Sequence, residues 1–208
     1  MILADLSPQA YREAAEHLRA LDADWAAHIA AVGPCLHHAT PGREPYEALV
    51  RAIAYQQLHA RAAEAILGRL LALFPHQAFP QPHQLLALSP VALRECGFSA
   101  SKLATVQGIA QGRLDGVVPT QAEALGMADD ALIERLITLR GVGRWTVEML
   151  LIYSLARSDI LPVDDFGIRE GYRRLKGLAK APTPGQMRVL GQAWHPYRTV
   201  AAWYLWRA

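Results

Sequence analysis

Apolar residues recur along this chain at intervals of three and four. Leu49, Ala52, Ile53 and Gln56, then Ala62, Ile66, Leu70 and Leu73, mark two amphipathic helices, the first entered near Pro45. Almost nothing alternates in twos with β-branched residues, so sheet is excluded as the main element. Ser7-Pro8, Ser89-Pro90 and Thr183-Pro184 each set a capping hydroxyl before a proline suited to a first helical position. Further on, a helix with Leu132, Ile133, Leu136 and Ile137 on one face runs into Gly141-Val142-Gly143, and another begins at once with Arg144 and Trp145. The predicted fold is all-α, about ten helices in two packed lobes. Their joint is expected near the proline-rich connector Pro75 to Pro82.

Composition narrows the classes. Of 208 residues, 52% are hydrophobic, enough for a core without staples, yet no uninterrupted apolar run approaches the ~18 residues of a membrane span. Cys35 and Cys96 form no C-x-x-C pair, which argues against zinc, an iron–sulfur cluster and a redox dithiol. The start, Met1-Ile2-Leu3-Ala4-Asp5, has no leader pattern. A soluble, cytoplasmic, monomeric protein is expected. No pair among the eight histidines, His37-His38 included, has the spacing of a helical zinc site, so solvated or capping roles are expected, with His59, His76 and His83 in loops or at helix ends. The net charge of +2 hides an asymmetry: residues 131–208 hold 12 Lys+Arg against 6 Asp+Glu, residues 1–130 hold 9 against 13. The C-terminal third is where an anionic partner belongs.

The glycine turn lies in that third. Two glycines around one apolar residue permit a very tight reversal, and the N–H groups near Gly141, Gly143 and Arg144 stand at the positive end of the second helix. A phosphate can approach them closely, a grip on nucleic acid that reads no sequence. The backbone carbonyls of Ile137, Leu139 and Val142 are candidate ligands for a monovalent cation, sodium or potassium, bridging to the same phosphate. Taken alone, the turn reads first as an ordinary αα-hairpin with glycine for geometry.

After the second helix, Leu161-Pro162-Val163-Asp164-Asp165-Phe166-Gly167-Ile168-Arg169 gives an extended stretch and then two acids opening a helix. With the hairpin L-R-G-V-G-R-W-T, the C-terminal W-H-P-Y-R-T-V-A-A-W-Y-L-W and A-I-A-Y-Q-Q-L-H-A-R-A-A, this resembles the helix-hairpin-helix DNA glycosylase superfamily, and within it the bacterial 3-methyladenine DNA glycosylase II family. The match runs over roughly residues 45–208.

The resemblance implies a two-lobed helical fold with a lesion cleft between the lobes, one glycosylase unit over residues 1–208 without an N-terminal β domain. It implies a monofunctional, cofactor-independent N-glycosyl hydrolase of base excision repair that flips alkylated purines such as 3-methyladenine or 7-methylguanine out of duplex DNA. Asp165 is the catalytic acid, stabilising positive charge on the deoxyribose; Asp164 is a cap or supporting group. Trp145 and Trp206 line the base pocket, with Met149 and Tyr55. Lyase members resemble this hairpin but carry lysine where Trp145 stands, and an indole forms no imine. Arg140, Gly141, Val142, Gly143, Arg144 and Thr146 are the DNA contacts. Trp194 and Trp203 are assigned to core packing.

The sequence departs from the family at three places. Met149 stands where the second pocket aromatic is usual, Arg140 replaces a proline, and Ala100 replaces the leucine that fills the gap of the flipped base, leaving Phe98, Gln56 and Gln57 as candidate plugs. Two alternatives stay open: a non-catalytic module for damaged DNA, and a glycosylase for another lesion such as ethenoadenine, a deaminated purine or uracil.

Overall fold

The structure, a computed structural model, describes residues 8–208; the Ser7 cap and the Met1 to Asp5 segment lie outside the described residues. The described residues hold thirteen α-helices, one short 3₁₀ turn and no strand, so the all-α expectation holds. Three helices missed by periodicity, α5 (Pro82–Ala87), α6 (Pro90–Glu95) and α8 (Gln121–Gly126), are only six residues long, too short to show a repeat. The latter two are set by their caps, since Ser89 and Thr120 each accept the N–H three residues on.

The chain divides into two compact units, but not at the proline-rich connector. One unit is residues 42–150; the other combines the described residues up to 41 with residues 151–208. The connector is instead packed within the first of these: Phe79 is buried edge-on against Tyr46, with the Arg51 guanidinium 5.3 Å from its ring centroid.

Residues 42–150 comprise α3 (Pro45–Tyr55), α4 (Ala60–Ala72), α5, α6, α7 (Ala100–Leu114), α8, α9 (Asp129–Leu136) and the first part of α10 (Arg144–Tyr153). Helix α7 is central, packing on α3 and α5 through fully buried Val106, Ile109 and Ala110. Leu49 and Ile53 of α3 and Leu70 of α4 are fully buried, as their spacing predicts.

The other unit comprises α1 (Pro8–Arg19), α2 (Ala23–Val32), the end of α10, α11 (Phe166–Leu175), α12 (Pro184–Leu190) and α13 (Arg198–Leu205). Its core joins Leu18, Trp25 and Ile29 from the N-terminal helices to Ile168, Met187, Trp194 and the buried run Val200–Leu205. Trp194 and Trp203 are core residues, as expected.

Candidate active site and nucleic-acid interface

In residues 42–150 the hairpin forms as predicted: α9 ends at Leu136, the chain reverses, and α10 starts at Arg144. Gly141 adopts φ +83°, and a Cβ there would overlap the Thr105 side chain, so conformation and space both exclude other residues. Val142 is buried and its N–H donates to the Leu139 carbonyl at 3.0 Å, so it holds the turn instead of offering its amide to DNA. Thr146 is likewise no surface contact: it is buried, and its Oγ1 accepts from Gln56 Nε2 at 3.1 Å.

That bond also removes Gln56 from the candidate plugs. Its amide reaches the Gly141 carbonyl as well, fastening α3 to the hairpin, while Lys102 donates to the carbonyls of Ala54 and Gln56 at 3.0 and 2.6 Å. Phe98 is buried and cannot enter a base stack. Gln57 remains: exposed, at φ +57°, it lines a groove with Gln56, Trp145, Thr146 and the hairpin residues Gly141–Gly143. Ala100 is exposed on the first turn of α7. Tyr55 is half-buried on the last turn of α3 and does not line this groove. Met149 is half-buried.

The basic residues of the hairpin differ. Arg140 is exposed, whereas Arg144 pairs with Glu148 at 3.1 Å and Asp130 at 3.4 Å, so phosphate must compete for it. The candidate cation ligands, the carbonyls of Ile137, Leu139 and Val142, are backbone oxygens, the donor type hard cations take. The bond from Val142 uses only one lone pair of the Leu139 carbonyl, so that oxygen still fits the set of Ile137, Leu139 and Val142.

In the other unit, Asp165 is the N-cap of α11 and Oδ1 accepts the Ile168 N–H at 2.9 Å. Asp164, read as a cap or a supporting group, is exposed in the preceding turn and is not the cap. The same Oδ1 accepts Trp206 Nε1–H at 3.1 Å, so two donors fix the carboxylate. Gly167 makes room: a Cβ there would stand 3.1 Å from both Asp165 Oδ1 and Trp206 Cδ1.

The W-H-P-Y-R-T sequence explains how Trp206 is held. Asp159 accepts two bonds from the Arg198 guanidinium at 2.7 Å each and contacts His195 Nδ1 at 2.6 Å. Burial opposes the charge of Asp159, but bonds from Arg198 and His195 outweigh it and hold the carboxyl below its usual range. Thr199 accepts the Ile160 N–H and donates to the Arg157 carbonyl. The start of α13 is thereby tied to the strand of chain leading into the acid turn, and Trp206 at its end meets Asp165.

Two residues here escaped the sequence reading. Tyr153 stacks against Trp206, ring centroids 6.4 Å apart and planes within 21°. His37, expected to be solvated, is buried behind Tyr153 with centroids 5.2 Å apart. The spacing of Tyr153, four residues beyond Met149, was a usable signal; nothing in the sequence marked His37 as buried.

The sequence pattern of HhH-GPD superfamily base excision DNA repair proteins matches residues 50–196. Over 192 residues the chain is 43% identical to DNA-3-methyladenine glycosylase 1 of Schizosaccharomyces pombe, covering 92% of this chain and 84% of that protein. A solved structure of 3-methyladenine DNA glycosylase from the same yeast, in complex with abasic DNA, matches with a TM-score of 0.88 at 43% identity, covering 94% of this chain and 95% of that one. DNA-3-methyladenine glycosidase from Bacillus halodurans matches with a TM-score of 0.80 at 31% identity, covering 100% and 91%. The Asp164-Asp165 turn and the glycine hairpin thus sit in a fold shared with these proteins, and the chain belongs to the HhH-GPD superfamily of base excision DNA repair proteins.

Proposed function

We propose that this protein is a monofunctional DNA glycosylase that removes alkylated purines, of the 3-methyladenine and 7-methylguanine type, from duplex DNA and leaves an abasic site. The observation that carries the reading is the Asp165 carboxylate, fixed by the Ile168 amide and the Trp206 indole. As the C1′–N bond breaks, its electron pair leaves with the base and positive charge grows on the sugar. A preorganised carboxylate stabilises that charge and can orient the water that adds to C1′. A base alkylated on N3 or N7 is already cationic and departs neutral, so no strong general acid is required.

The hairpin supports a sequence-independent hold on phosphates through the first turn of α10 and Arg140. The Ile137, Leu139 and Val142 carbonyls would hold an alkali cation there, supplying positive charge toward a phosphate. Trp145 at the lyase position supports hydrolysis without strand cleavage. The protein works as a cytoplasmic monomer on nucleoid DNA and needs no cofactor for the chemistry.

The test is incubation with duplexes containing 3-methyladenine or 7-methylguanine in the presence of EDTA, with chromatography for the released base. Release by the native protein and its loss in Asp165→Asn are expected. Tight lesion binding without release identifies a non-catalytic module instead.

A further inference from the structure

Residues 55–58 make a tight turn at the end of α3. The Leu58 N–H donates to the Tyr55 carbonyl at 3.2 Å, Gln56 has φ −52° and ψ 127°, and Gln57 has φ +57°. These angles are those of a type II turn, whose third residue is ordinarily glycine because φ is positive there. Gln57 instead carries a full side chain, exposed in the groove beside the hairpin. A glutamine in this conformation is strained, and strain that a fold retains points to a use for the side chain.

A type I turn would relieve the strain by rotating the Gln56–Gln57 peptide about half a turn. Lys102 opposes that rotation. Its half-buried ammonium donates to the Gln56 carbonyl at 2.6 Å and to the Ala54 carbonyl at 3.0 Å, so it holds the peptide that would rotate against the last turn of α3. Burial lowers the pKa of Lys102, and among the described residues no carboxylate forms an ion pair with it, so the ammonium serves carbonyls alone. Gln56 supplies a second tie, from its side-chain amide to Thr146 Oγ1 at 3.1 Å and the Gly141 carbonyl at 3.5 Å. The turn is thereby fixed to the glycine hairpin.

We infer that Lys102 is a positioning residue that keeps the 55–58 turn in its type II form and so aims the Gln57 side chain at the gap a flipped base leaves in the duplex. This rests on the glycosylase reading above. A primary amide has both donors and an acceptor, so it can fill the gap and meet the edge of the base left unpaired. With Gln56 bound to the hairpin, the plug and the phosphate grip keep one separation, set by the protein before DNA arrives. Lys102 acts through Gln57 and touches no phosphate.

The experiment compares affinity for a duplex carrying a tetrahydrofuran abasic analogue with affinity for the same duplex undamaged, by fluorescence anisotropy across a salt series. Gln57→Ala is expected to lower the ratio of the two affinities about fivefold, the worth of one hydrogen bond. Lys102→Met should lower it as much, and the double variant no further. The salt slope on undamaged duplex should stay native in all three, because no phosphate contact is lost. Gln57→Gly should lower the ratio like the alanine variant while raising the melting temperature, since glycine carries no strain in this turn. If Lys102→Met fails to fold, Lys102→Gln, which keeps a donor for one carbonyl, should give a smaller loss of the ratio. An unchanged ratio in Gln57→Ala overturns the gap role. An unchanged ratio in the folded Lys102 variant, or an additive double variant, overturns the positioning role, and a flatter salt slope in Lys102→Met does so by making Lys102 a phosphate contact. Any of these in a native protein that releases 7-methylguanine leaves the glycosylase reading standing; native protein that releases no base overturns that reading and this inference together.

Discussion

Trp206 Nε1 and the Ile168 amide converge on one oxygen of Asp165, at 3.1 and 2.9 Å. One carboxylate therefore caps a helix and carries the proposed chemistry. Asparagine caps as well as aspartate but cannot offset a developing cation. Asp165→Asn should melt within a few degrees of the native protein while excision falls about 10²–10³-fold. A parallel loss of melting temperature and rate would reduce Asp165 to a structural residue.

Gly167 offers a separate handle on the same contact. Its backbone is ordinary helix, so Gly167→Ala costs no strain, but the new methyl must push on Asp165 Oδ1 and Trp206 Cδ1 at 3.1 Å. The expected variant is as stable as the native protein, or slightly more so, with excision reduced severalfold. Differential scanning calorimetry beside single-turnover assays separates the two effects.

The hairpin glycines should not be equivalent. At Gly141, φ +83° and the overlap with Thr105 make alanine costly, about 1–2 kcal/mol from conformation alone. A Cβ on Gly143 meets nothing within 4 Å. Gly141→Ala should lower both melting temperature and DNA affinity, while Gly143→Ala leaves stability intact and weakens affinity only by obstructing a phosphate. Identical behaviour of the pair would contradict the turn geometry.

Binding should be steep in salt. If about six phosphates are neutralised, affinity falls ~10³-fold between 50 and 200 mM salt. Arg140→Ala should flatten the slope more than Arg144→Ala, because Arg144 already pairs with Glu148 and Asp130. Fluorescence anisotropy across a salt series reads both.

Acid should destabilise the protein through His37. Burial first, then the charges of His38 and Arg207, hold its pKa below the usual histidine value, against the Ile152 backbone bond. Its ring neighbours Tyr11 and Tyr153 are uncharged at neutral pH, that of Tyr11 pushed up to about 12. The unfolded chain takes the proton more readily, so this contribution is complete above about pH 6.5 and is lost as pH falls below it. Melting temperature should drop between pH 7.5 and 5.5, and drop less in His37→Phe. Equal drops would place the acid sensitivity elsewhere.

Much of this was legible from residue order. Leu49, Ile53, Ile66 and Leu70 report their helices by periodicity, while the glycine turn and the acid turn gain their reading from the family resemblance. What escaped depends on distance in space. Gln56 and Thr146 look like surface polar residues until they bond each other across 90 positions. Phe98 looks like a wedge until its burial is seen, and the burial of His37 shows only when Tyr153 packs on it. The division of the chain was misplaced for a related reason: prolines mark where helices stop, and the contacts that define a unit ignore them.

One unit is assembled from the two ends of the chain, with about 110 residues of the other between them. During synthesis, residues 42–150 leave the ribosome as an uninterrupted stretch able to complete its own contacts, hairpin turn included. The N-terminal helices must wait for α11 and α13, and Asp165 gains its second donor only when Trp206, 41 residues further on, has emerged. A nascent chain therefore completes the glycine turn before the Asp165 carboxylate is held by its second donor, so the proposed grip on phosphate precedes the proposed catalytic geometry.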